Sequence, residues 1–264
     1  MRVDEDGLLA YLRHRVGETP ISSRAGATRK ALELNQPRPD FSRTFGNPDI
    51  SAYVGFIDLA NFSETVSGQA PGDIAEFVLP FLRNSIRILR GRHALIDKTI
   101  GDEVMFILPV TEEDSHAPEP IFMGQILGAY HDYAYGCDEK FAFRFGLSYG
   151  KVRAVKVEDE GYTEWSFFGE PIHVAKRLHS LPELSHPNPV VGAFGLKITP
   201  GRAEDEMSAV KNHLNFLAGF ASRFSHRLAP HPFSMKGVGD VYFGILDPRG
   251  PGRSTGGVTQ TVAD

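Results

Sequence analysis

Two aspartates are the residues most able to do chemistry. Asp58 closes an apolar run, Ser51–Ser63, read SAYVGFIDLANFS; Asp102 lies within Leu95–Leu108, read LIDKTIGDEVMFIL. A carboxylate at the end of a buried strand is costly unless a cation or hydrogen bonds satisfy it. Two of them on neighbouring strand ends can hold a pair of hard divalent ions, which prefer oxygen ligands and leave positions open for phosphate. Gly101-Asp102 between two short apolar runs predicts a tight hairpin, because glycine takes φ > 0 and a two-residue turn needs it. That turn would fix Asp102 at a sheet edge, with Lys98 on the arm before it. Taken alone, the same residues also read as an ordinary turn aspartate and a helix-capping aspartate.

Further segments follow in order. Phe56-Ile57-Asp58 with Phe62-Ser63, then Lys98-Thr99-Ile100-Gly101-Asp102, then Phe168-Gly169-Glu170-Pro171-Ile172-His173-Val174-Ala175-Lys176-Arg177-Leu178 resemble the signature segments of class III nucleotidyl cyclases. Arg144–Gly150, RFGLSYG, resembles the middle strand and turn of that family, and Ser234–Gly239, SMKGVG, its closing strand. The resemblance spans Pro48 to Asp247, and its specificity lies in the ordered set.

The resemblance implies an intramolecular phosphoryl transfer. The ribose 3′ oxygen of a nucleoside triphosphate attacks the α-phosphate and pyrophosphate leaves, which requires alignment, metals and charge neutralisation. It implies that Asp58 and Asp102 bind two Mg²⁺ or Mn²⁺ ions, with the backbone carbonyl of Ile57 or Leu59 nearby. Arg177 matches the arginine that stabilises the transition state, where a guanidinium fork suits phosphate oxygens. Lys236 matches the lysine on the terminal phosphates. His173 departs from the usual asparagine at the ribose; histidine also donates a hydrogen bond, but it is larger and titrates near neutrality. Lys98 and Ser166 match the pair that reads the base edge.

Base choice turns on the aromatic residues. Phe56 is expected to wall the pocket opposite Ile100, and Phe167, followed by Phe168, stands where a modest aliphatic is usual. An extra ring would shrink the pocket or supply a stacking face, which makes a pyrimidine base plausible. The chain also resembles the pyrimidine cyclases of bacterial anti-phage signalling (Pycsar). That likeness implies UTP as the favoured substrate, cyclic UMP as product, and a separate effector that reads it. An adenylate cyclase and a degenerate cyclase fold serving as a nucleotide sensor are the alternatives. A palm-like polymerase or diguanylate cyclase also pairs aspartates on such a sheet, but no GGDEF-like run occurs. The resemblance further implies a head-to-tail homodimer. Asp58 and Asp102 of one chain would face Lys98, Ser166, His173, Arg177 and Lys236 of the other.

The elements that must position these residues follow from pattern. The 264 residues, 41% hydrophobic and 23% charged, fit a globular domain with a substantial core. A formal net charge of −5 argues against a nucleic-acid-coating surface. The single cysteine, Cys137, excludes an internal disulfide framework and fits a reducing compartment. Ten histidines without an HExxH spacing make a zinc site unexpected. No apolar run approaches the ~20 residues that span a bilayer, and the first residues carry acids where a secretory leader carries bases. The expectation is a cytoplasmic protein without an anchor.

Residues 1–47 read as a short amphipathic helix and an extended arm, 48–247 as the catalytic domain, and 248–264 as a disordered tail rich in Gly, Pro, Ser and Thr. Within the domain, strands are expected over Ile50–Asp58, His93–Lys98 and Glu103–Leu108. Phe141–Tyr149 alternates and predicts a further strand, turning back through Lys151–Val157 as a second hairpin. The last strands are expected at Pro189–Phe194, Phe233–Met235 and Val241–Leu246. Helices are expected over Asp73–Arg90, Pro120–Tyr135, Gly169–Leu181 and Ala203–Phe224. This order predicts an α+β fold with a ferredoxin-like βαββαβ core, an antiparallel sheet flanked by helices.

Overall fold

The computed structural model describes residues 49–92, 94–110, 119–136, 141–159, 162–181, 184, 190–221 and 224–248. The expected N-terminal helix and arm and the tail past 248 lie outside the described residues.

Strand β1 (Asp49–Leu59) is apolar and buried along nearly its whole length. It therefore lies mid-sheet, antiparallel to β3 (Glu103–Val110) on one side and β4 (Phe143–Asp159) on the other. β2 (Leu95–Ile100) pairs with β3 through the two-residue turn Gly101-Asp102, where Gly101 takes φ 60°. Between β1 and β2 run a single turn, α1 (Phe62–Thr65), and the long helix α2 (Pro71–Arg90). α2 opens with a proline in its first turn, where the missing N–H costs no hydrogen bond. Helix α3 (Glu119–Gly136) joins β3 to β4. The spatial order β2-β3-β1-β4 is the expected ferredoxin-like core.

The chain then extends this core. β5 (Tyr162–Phe168) pairs back on β4, α4 (Glu170–Leu178) crosses the sheet, and β6 (Val190–Lys197) runs parallel to β4. Helix α5 (Ala203–Ala221) and strands β7 (Phe224–Leu228), β8 (Phe233–Met235) and β9 (Gly239–Pro248) complete it, with β9 between β6 and β7.

The expected hairpin around Gly150 is not formed. β4 is one strand of 17 residues: Phe143–Arg153 pairs with β1, and Arg153–Asp159 pairs with β5. The reversal comes at the far end of β4, where Asp159 pairs with Tyr162 of β5. β7 was not expected as a strand, because Phe224–Leu228 mixes Ser, His and Arg with its apolar residues.

Strand alternation divides the core in two. Tyr53, Ile57, Phe143, Phe145 and Leu147 face α2, α3 and α5, where Phe81, Leu89, Tyr130 and Leu214 fill a deep aromatic layer. Ile50, Ala52, Val54 and Phe56 face the other way, toward Val152, Phe167 and Ala175 under α4. Asp58 continues that second row.

Candidate active site

Asp58 is the last polar residue of the row under α4. Its register partner across the sheet is Arg144, whose Nε lies 3.5 Å from Asp58 Oδ1. Both atoms are buried, and neither makes a hydrogen bond. The backbone N–H of Leu59, the next residue, donates to Asp102 Oδ2 at 3.3 Å. The hairpin turn thus brings the second aspartate beside the first.

Burial pushes Asp58 up to about 6; His179 and Arg144 pull against it, and the charges of Asp102 and Glu103 push with it. Burial also raises Asp102, opposed by backbone N–H groups of its own residue and Leu59 and aided by Glu103. Two partly buried acids side by side, with Asp58 Oδ1 making no hydrogen bond, could receive a hard cation. Among the described residues no group of three or more His, Cys, Asp or Glu has a metal-cluster arrangement. The acids act as a pair of oxygen donors, so water or phosphate would complete a cation's shell.

Four residues here were not singled out in the sequence. Glu103 follows Asp102, and its carboxylate receives Lys176 Nζ and lies 3.2 Å from His179 Nε2. Burial acts upward on Glu103, but hydrogen bonds from His179 and Lys176 hold it below the ordinary glutamate range. His179 Nε2 is also 3.6 Å from Asp58 Oδ2. The His179 ring stacks on Phe56 with centroids 5.9 Å apart, and Lys176 Nζ sits 5.2 Å above the same ring. Arg144 was legible only as part of a family-like strand. Its signal was parity: it alternates with Phe143 and Phe145 and so must lie on the opposite face.

The other expected site residues are spread over the chain. His173 and Arg177 are exposed, one helical turn apart on α4, while Val174, Ala175 and Leu178 face the sheet. Lys236 is exposed in the turn between β8 and β9. Lys98 is exposed on the β2 arm, its Nζ 3.6 Å from Asp97 Oδ2. Ile57 is fully buried on the aromatic side, which leaves only its backbone to serve a metal. Ser166 pairs with Val155, eleven positions along β4 from Arg144. At ~3.3 Å per residue that is roughly 35 Å of strand.

Two of the expected pocket walls are core residues. Phe56 is 4% exposed and covered by Lys176 and His179, and Phe167 is 7% exposed, packed with Val152 and Ala154. Alternation explains the second: Phe167 shares the buried face of β5, so Ser166 and Phe168 share the opposite one. Phe168, 57% exposed, is the ring that could meet a base.

The adenylyl cyclase CyaB from P. aeruginosa superimposes with a TM-score of 0.52 at 14% identity, over 75% of this chain and 94% of that one. The guanylate cyclase domain of RhGC from Catenaria anguillulae, in complex with GTP, gives 0.52 at 18% identity, over 76% of this chain and 98% of that one. A rhodopsin-guanylyl cyclase core with converted specificity, in complex with ATPαS, also gives 0.52 at 18% identity, over 76% and 97%. The chain has the nucleotide-cyclase fold. No protein-family model and no curated protein sequence matches it. At these identities the likeness is one of architecture: the same sheet flanked by helices, spanning nearly the whole of those cyclase domains. Within the described residues, no helix of this nucleotide-cyclase fold is long and apolar enough to cross a membrane.

Proposed function

We propose that this protein is a nucleotide cyclase that converts a nucleoside triphosphate, with UTP favoured, to a 3′,5′-cyclic mononucleotide and pyrophosphate. The observation that carries this reading is the Asp58–Asp102 pair. Two acids stand side by side at strand ends, with an orphaned carboxylate oxygen and a guanidinium facing them. On a cyclase fold, that arrangement fits a triphosphate better than any structural role.

Asp58 and Asp102 are the residues that would hold divalent cations, and their oxygen donors suit Mg²⁺ or Mn²⁺, two per site. When bound, such ions supply charge to the phosphates and acidify the attacking ribose hydroxyl. The chain's own contribution is alignment and neutralisation. Arg144 aims an uncommitted Nε toward the acids and can turn it to a phosphate oxygen. Arg177 offers a bidentate fork for the charge that develops on the transferred phosphate. Lys236 would hold the terminal phosphates, and His173 would donate to the ribose.

The motif resemblance implies that these groups meet across two chains. A second copy, packed head to tail, would bring its Lys98, Ser166, His173, Arg177 and Lys236 to the acids of the first, making two equivalent sites. At the base end, Ser166 can donate or accept, and the exposed Phe168 gives a stacking face. That favours a small base such as uracil, and with the motif resemblance it points to a messenger read by a separate effector in anti-phage signalling.

Incubation with each of the four NTPs and Mn²⁺, with products resolved by mass, tests the reading. Cyclic UMP from UTP is the expected product. Cyclic AMP alone would overturn the base assignment, a linear dinucleotide the reaction class, and no turnover would leave a nucleotide sensor.

A further inference from the structure

We infer that His179 is a positioning residue for the metal-binding carboxylate, holding Asp58 in place through a latch formed with Glu103 and Lys176. The inference rests on the proposed function, since it names what orients the acid pair.

The latch begins with a glycine. Gly146 is the register partner of Phe56, and a Cβ there would lie 2.0 Å from the carbonyl oxygen of Ala175 and 2.4 Å from the backbone nitrogen of His179. Only a bare backbone lets the end of α4 settle directly on β4. That approach delivers His179 to the row that ends in Asp58. The imidazole is nearly buried and clamped on each side: stacked on Phe56, with Nδ1 2.5 Å from the Lys176 carbonyl oxygen and 3.1 Å from Ser180 Oγ. With the ring fixed, Nε2 lies between Asp58 Oδ2 at 3.6 Å and Glu103 Oε2 at 3.2 Å. Glu103 is held in turn by Lys176, from the same helix.

A ring held at one face and one edge, with Nε2 3.2 Å from Glu103 and in ion-pair range of Asp58, has the form of an outer-shell metal partner. Such partners fix the ligand's orientation, and losing one typically costs 10–100-fold in metal affinity. The same contacts tie the turn after α4, and so the helix that carries Arg177, to Asp58 on β1 and to Glu103 at the start of β3. Orientation of the metal ligand and placement of the phosphate helix are therefore set together.

Mn²⁺ binding to the metal-free protein, read by electron paramagnetic resonance, tests this without turnover. His179→Phe keeps the stack on Phe56 but has no Nε2, and should weaken Mn²⁺ at least tenfold with little change in thermal midpoint. His179→Gln, which keeps a donor, should stay within about threefold of the parent protein. Glu103→Gln, which unhooks the other end, should fall between them. Asp58→Ala is the control for the site itself. If it abolishes binding while His179→Phe binds as the parent does, the latch is refuted and the acid pair stands. If Asp58→Ala binds Mn²⁺ like the parent, the reading on which the latch rests fails as well.

Discussion

Two polar groups on opposite faces of the central sheet, His213 and Asp58, differ in how far the fold satisfies them. On the aromatic side, His213 of α5 lies among Tyr53, Tyr149 and Phe194, with Nδ1 2.8 Å from Tyr53 Oη. Burial pulls it down to about 4, so it stays neutral and hydrogen-bonded. On the α4 side, Asp58 keeps an oxygen with no donor, beside a second acid. The histidine has its hydrogen bond from the fold, whereas Asp58 has only the longer ion pairs with Arg144 and His179. A polar group that the protein satisfies is structure; one that it leaves unmet in a cleft is a candidate for chemistry.

The contrast breaks most sharply in activity. Asp58→Ala or Asp102→Ala should reduce pyrophosphate release with Mn²⁺ to background, while His213→Gln should retain most of the turnover. Equal losses would remove the distinction between the two sides.

Next in size is the pair of glycines on adjacent strands. A Cβ at Gly55 would meet the Phe106 ring at 2.2 Å, on the aromatic side, whereas one at Gly146 meets backbone of α4 at 2.0 Å. Both alanine variants should lose on the order of 1–3 kcal/mol of stability through overpacking. Only Gly146→Ala should also weaken Mn²⁺ binding, because it lifts α4 and the residues after it. Calorimetry with a parallel Mn²⁺ titration separates the two.

The pH dependences of the two groups have opposite signs. His213 is depressed from 6.5 to about 4, so the unfolded chain binds the proton more readily, and stability falls as pH drops from about 6.5 to 4. Asp58 is raised from 3.8 to about 6. Its charge strains the metal-free fold above about 6, and that strain is relieved as pH falls through 6 toward 3.8. Asp58→Asn should therefore stabilise the metal-free protein at pH 8 by roughly 1–3 kcal/mol, read as a higher thermal midpoint, while abolishing turnover. An unchanged or lower midpoint would show that Asp58 is already satisfied.

The smallest effect is expected at the rim. Asp49 and Arg153 form a bidentate pair of 2.5 and 2.6 Å at the start of β1, but both are well exposed. Asp49→Ala should leave the midpoint and turnover unchanged, since solvent screens such a pair.

Much of this was legible in the residues. The Gly101-Asp102 turn and the order of the ferredoxin-like core follow from local turn chemistry and from strands with strong apolar signals, whereas the pairing of Asp58 with Asp102 was implied by the family resemblance. Gly150 misled, because a glycine between two apolar runs reads as a reversal, while pairing with β1 on one half and β5 on the other keeps β4 straight through it. Phe167 and Phe168 could not be ranked from sequence: which ring is buried depends on which face of β5 meets α4, a tertiary fact. Glu103, Lys176 and His179 were hidden for the same reason. Their meeting depends on the close approach at Gly146, and no spacing of residues announces it.

β4 also behaves as a ruler. It carries Arg144 at the acid end and aligns Ser166 at the other, so its length sets how far apart along the sheet these two rows stand. Because side chains alternate with a period of two, losing one residue between Arg144 and Val155 would turn the far row over to the wrong face. The spacing can change only in double steps, each of about 6.6 Å, if the far row is to keep its face.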